Sequence, residues 1–93
     1  MIISFKSRDT AKVYARGRSR RLPAGVQRVA LRKLKMLNNA QRLDDLWVPP
    51  ANRLEKLRGN RSGQYSIRIN ERYRVCFIWC DGNALDVEIV DYH

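Results

Sequence analysis

The chain has 93 residues, 44% of them hydrophobic, and its 19 Lys+Arg outweigh 9 Asp+Glu to give a formal net charge of +10. That length supplies one small core and not two, and no apolar run approaches the roughly 20 residues that a bilayer span needs. The opening Met1-Ile2-Ile3-Ser4-Phe5-Lys6 is charged too early for a signal peptide, so the chain reads as a cytoplasmic protein, basic enough to meet a polyanion such as nucleic acid.

Ile2, Ile3 and Phe5 predict a short opening strand. Ser7 or Asp9 can cap a brief helix through Ala11–Ala15, with Gly17 suited to its C′ position. Arg16, Arg18, Arg20 and Arg21 form a basic loop. Pro23 fits the first turn of a second helix reaching Met36–Asn39. On it Val26, Ala30, Leu34 and Leu37 make an apolar stripe at helical spacing, with Arg28, Arg32 and Lys35 on the opposite, solvated side. Residues 44–53 read as a connecting loop that Pro49-Pro50 keeps irregular and Trp47 pins to the core.

From Leu54 the pattern changes to period two, giving three half-buried strands joined by Asn70-Glu71-Arg72 and Asp81-Gly82-Asn83. A two-residue loop at Asp81-Gly82 would set Phe77 opposite Asp86 and mix core with polar faces. A three-residue loop sets Phe77 opposite Val87 and Trp79 opposite Leu85, so it is the expectation. The same logic sets Ile67 opposite Val75, Arg68 opposite Arg74, and Arg74 opposite Val90. Cys76 and Cys80 lie roughly 13 Å apart along one strand, too far for a disulfide. Both are expected as buried or half-buried thiols, and with one histidine they give no zinc spacing.

Two arginines opposed across a sheet repel unless an anion sits between them. The chain then ends Asp91-Tyr92-His93, with its single histidine last, and histidine is the side chain whose unperturbed pKa lies nearest neutrality. Arg68, Arg74, Asp91, Tyr92 and His93 are therefore expected to converge at one end of one open sheet. The run Arg53–Arg61 adds basic residues Arg53, Lys56, Arg58 and Arg61 and the carboxylate Glu55. This combination suits RNA phosphodiester cleavage, in which the ribose 2′-OH is an internal nucleophile and no metal or cofactor is required. Arginines stabilise the phosphorane, while His93, Asp91, Tyr92 and Glu55 are left to move protons.

The run Leu57-Arg58-Gly59-Asn60-Arg61-Ser62-Gly63, then Tyr65–Asn70, Tyr73–Phe77 and the terminal Asp91-Tyr92-His93, resembles HigB-type toxins of the RelE/ParE superfamily of bacterial toxin–antitoxin systems. The resemblance implies an α+β, RelE-like fold: two N-terminal helices on one face of a small, mainly antiparallel sheet, in a single domain spanning residues 1–93. It implies an mRNA endonuclease working in the A site of the 70S ribosome, on mRNA held there by rRNA. It also implies a helix-turn-helix antitoxin of the HigA type, through which alone operator DNA is met. By position, Arg74 matches the arginine at the scissile phosphate and Asp91, Tyr92 and His93 the C-terminal catalytic triplet. Arg58 stands where members often carry lysine, and Glu55 where some carry histidine, which implies slow cleavage. Arg53, Lys56, Arg61, Arg68 and Arg72 are the expected RNA and ribosome contacts. A gyrase-binding ParE-like toxin and a plain RNA-binding module are the alternatives; neither needs the terminal triplet.

Overall fold

The computed structural model describes residues 1–91; Tyr92 and His93, and the expectations placed on them, lie outside the described residues. Helix α1 (Arg8–Tyr14) is capped by Ser7, whose hydroxyl accepts the Thr10 N–H at 3.1 Å. Asp9 instead sits in the first turn, where a negative charge suits the helix dipole. Arg16, not Gly17, takes the left-handed conformation after the helix, with φ 64°. Gly17 is needed for a different reason: a Cβ there would lie 2.6 Å from Lys12 Cγ.

Helix α2 (Ala24–Asn39) starts after Pro23, which caps rather than enters it. Its predicted stripe is the core: Ala30, Leu34 and Leu37 are fully buried. The connecting loop holds two short 3₁₀ turns, Leu43–Trp47 and Pro50–Asn52. Trp47 does not pin it. That side chain is 58% exposed, and the fully buried neighbours Leu46 and Asn52 hold the loop instead. Asp45 closes the first turn by accepting the Gln41 and Arg42 N–H groups at 3.0 Å each, which lowers its pKa.

Four strands follow in order β1 (Glu55–Lys56), β2 (Tyr65–Arg68), β3 (Tyr73–Cys80) and β4 (Asn83–Asp91), all antiparallel to their neighbours. Strand β1, two residues long and exposed, has no periodicity to betray it. The opening segment is not a regular strand: Ile2 and Phe5 make isolated parallel bridges to Ala84 and Val87 along the β4 edge. Both helices contact β4, and α2 also contacts β3, so the helices cover one face of the sheet. No helix among the described residues is long and apolar enough to cross a membrane.

The β2–β3 register is as expected, with Ile67 opposite Val75 and Arg68 opposite Arg74. The β3–β4 turn has two residues, not three: Cys80 pairs with Asn83 across Asp81-Gly82, whose φ angles of 50° and 78° suit a type I′ turn. The conflict this creates between core and polar faces is resolved by a bulge. Trp79 pairs with Ala84 and Ile78 with Leu85, then the register shifts, and Cys76 pairs with Glu88 and Val75 with Ile89. One extra residue on β4 restores the alternation. Asp86 takes it up at φ 51°, its N–H bonded to Ser4 Oγ at 2.9 Å. Beyond the bulge the expected faces hold, and Val87 is fully buried; before it Ala84, not Leu85, enters the core. Cys76 is buried, which pushes its thiol pKa up, but Cys80 is exposed rather than half-buried.

Candidate active site

Side chains opposed across an antiparallel pair share a face. On the face away from the helices one row reads Glu55, Ser66, Cys76, Glu88, and the next Arg68, Arg74, Val90. Ser66 is thus diagonal to Arg74, and the two bond: Arg74 Nε donates to Ser66 Oγ at 2.7 Å. Arg74 Nη2 donates to the Arg53 carbonyl at 2.6 Å and lies 3.8 Å from Glu55 Oε2. The guanidinium is therefore held from three sides with its side chain only 12% exposed. A planar fork gripped this way presents a fixed positive charge, which is what stabilising a developing oxyanion demands.

Arg53 makes that grip possible at a conformational cost. It closes the Pro50–Asn52 turn in the left-handed region, φ 44° and ψ 56°. A non-glycine residue there costs on the order of 1–3 kcal/mol and persists only where its surroundings enforce it. The enforcement comes from Asn52, fully buried next door. Its Oδ1 accepts from Lys33 Nζ at 2.6 Å, and its Nδ2 donates to the Leu46 carbonyl at 3.2 Å. Lys33, 5% exposed, has its pKa lowered by burial and then by Arg32.

Arg53, Glu55, Arg68, Asn70, Glu71 and Arg74 line an open cleft of about 300 Å³. The β2–β3 turn at its rim is fixed by Asn70, whose Oδ1 accepts the Arg72 and Tyr73 N–H groups at 2.8 Å each. The structure thus brings Arg53, Glu55, Arg68 and Arg74 together. Of the other described candidates, it sets Asp91, Arg72, Lys56 and Arg58 outside this cluster. Asp91 pairs with Tyr73, so it shares the face of the helices, not that of Arg74. There it takes a two-pronged ion pair from Arg72, Nε to Oδ1 at 2.9 Å and Nη2 to Oδ2 at 2.7 Å. Arg61 reaches Glu88 at 3.5 Å, so it shares the face of Arg74 but does not line the cleft. Lys56 is opposite Tyr65, on the face away from Glu55. Arg58 is exposed just before the Gly59–Arg61 turn.

Sequence reasoning missed Lys33, Asn52 and Ser66. Lys33 had a signal: it falls in the apolar stripe, seven after Val26 and four before Leu37. Ser66 followed from the register, two residues before Arg68 on the same face. Nothing in the sequence marked Asn52.

A family model described as the RelE-like toxin of type II toxin–antitoxin system HigB matches residues 3–93. Toxin HigB-1 of Vibrio cholerae is 41% identical over 87 residues, covering 92% of each chain. Endoribonuclease HigB of Proteus vulgaris is 30% identical over 94 residues, covering 100% of each. The YoeB–YefM complex from Staphylococcus aureus contains a chain with the same fold, at TM-score 0.62 and 19% identity, over 100% of this chain and 98% of that one. The chain belongs to the HigB family of RelE-like toxins from type II toxin–antitoxin systems.

Proposed function

We propose that this toxin is an endoribonuclease that cuts translated mRNA in the ribosomal A site and that a cognate helix-turn-helix antitoxin neutralises it. The observation that carries the reading is the Arg74 guanidinium, clamped by Ser66, Arg53 and Glu55 in a cleft with Arg68. A phosphate seated there removes the repulsion between Arg68 and Arg74, and its charge grows as the 2′ oxygen attacks. Among the described residues Glu55 is the carboxylate within ion-pair distance of Arg74, and its side chain is 57% exposed. In this reading Glu55 accepts the 2′ proton. His93 and Tyr92 then supply the proton for the departing 5′ oxygen, and Asp91 anchors the terminal strand through Arg72. The relative named Endoribonuclease HigB supports a nuclease over a gyrase binder. The ribosome positions the substrate, and holding reactants in place removes much of the barrier; this also agrees with a cytoplasmic site of action.

Primer extension on actively translated mRNA tests the proposal. Discrete cuts within codons are expected with the wild-type chain. Arg74→Ala is expected to lose roughly 10²–10³-fold in rate, the size of one oxyanion-stabilising group. Uncut mRNA under translation arrest, or full cleavage by Arg74→Ala, refutes it.

A further inference from the structure

Lys33 is the one lysine among the buried residues, and it lies beside the Arg74 cleft without lining it. An ammonium offers three donors. Among the described residues its hydrogen bond goes to Asn52 Oδ1, a neutral acceptor. The charged neighbour that acts on it is Arg32, of the same sign. A buried cation with a neutral partner and a cationic neighbour is an expensive arrangement.

The location explains it. Lys33 lines a second open cleft, of about 400 Å³, together with Arg32, Arg53, Arg68, Asn70 and Glu71. Arg53, Arg68, Asn70 and Glu71 line the Arg74 cleft as well. The two clefts are therefore halves of one trough running from β3 past the β2–β3 turn to α2. Its walls carry Arg32, Lys33, Arg53, Arg68 and Arg74 against Glu55 and Glu71. Such a trough follows a chain of phosphates better than it fits a single anion.

Resting on the nuclease reading above, we propose that the α2 half of the trough is a second phosphate subsite, in which Lys33 and Arg32 bind an RNA backbone phosphate neighbouring the one at Arg74. The substrate strand then leaves the reacting centre toward α2, not toward Arg58 and Arg61. An RNA phosphate supplies the acceptors that Asn52 leaves wanting. Arg53 links the two halves: its carbonyl orients Arg74, and its side chain lines both.

The test uses the full chain with ¹³C-labelled lysines and a 2′-O-methyl RNA hexamer, which cannot be cut. NMR follows the Lys33 titration with and without the hexamer. Bound RNA is expected to shift the Lys33 signal and move its midpoint upward. In parallel, Lys33→Met and the exposed Arg32→Ala are each expected to flatten the plot of log affinity against log salt by about 0.7, one single-strand phosphate contact. Arg32→Ala keeps the test usable if Lys33→Met fails to fold. A Lys33 signal unmoved by saturating RNA, unchanged salt slopes, or a response to an acidic peptide and not to RNA overturns the subsite. A silent Lys33 alongside normal cleavage sinks the subsite alone. A responsive Lys33 in a chain that cuts nothing on the ribosome sinks the nuclease reading alone.

Discussion

Asn52→Ala is the sharpest perturbation the structure offers. Asn52 is fully buried, and the substitution removes a 2.6 Å bond from a buried ammonium and a 3.2 Å bond to the Leu46 carbonyl. A hydrogen bond to a charged group contributes about 1.5–3 kcal/mol, and an orphaned buried acceptor costs about 1 more. The expected loss is therefore about 3 kcal/mol. A domain of this size shifts by roughly 4–8 °C per kcal/mol, so calorimetry should show Tm falling by at least ~12 °C. The double variant Lys33→Met/Asn52→Leu removes both polar partners at once and should be more stable than Asn52→Ala, because neither group is left alone. Cleavage by Asn52→Ala, measured well below its Tm, should also drop, since the Arg53 turn loses its support. A Tm change under ~4 °C, or strictly additive behaviour of Lys33→Met and Asn52→Leu, refutes the coupling.

Gly82→Ala should destabilise by about 1–2 kcal/mol in chemical denaturation, because φ there is 78° and the new Cβ would stand 3.4 Å from the Gln41 carbonyl; an unchanged midpoint would remove the type I′ turn from the account. Native-state thiol labelling should modify Cys80 promptly and Cys76 only on unfolding, since Cys76 is buried and its thiol pKa is raised. Equal rates would contradict the burial. In stability measured against pH, Lys33 contributes a definite sign. Its folded pKa is lowered below 10.5, so between the two values the unfolded chain binds more protons and stability rises with pH. Cys76 opposes it, because its raised pKa loses stability as pH climbs through 9.0. Lys33→Met should leave only the falling limb; a wild-type profile in that variant would count against the assignment.

Much of the fold was legible because its signals are local and repeated. The α2 stripe and the β2–β3 register each rest on several residues agreeing, so the pattern alone sets Arg68 opposite Arg74. The β3–β4 turn went astray for an instructive reason. Asp81-Gly82 is the strongest short-range hairpin signal in the chain, yet the face argument ruled against it. Both were right over part of the strand, and Asp86 reconciles them. A bulge on a non-glycine residue leaves no trace in a hydrophobic pattern. Trp47 shows that size does not dictate burial, since it is exposed while the smaller Leu46 faces inward. At the site, the arginines were legible by charge and position. The groups that aim Arg74 were not, since a serine hydroxyl and the Arg53 carbonyl act through geometry that only the folded chain creates.

The parallel bridges between the opening segment and β4 bear on how the toxin comes into being. Ser4 finds its partner Asp86 82 positions later, so the opening segment cannot dock before β4 is in place. Closing so long a loop is slow and is rewarded only at the end. Helix α1 and the strand that carries the terminal residues must then settle together. A chain that has not yet formed β4 has no edge on which its opening segment can dock.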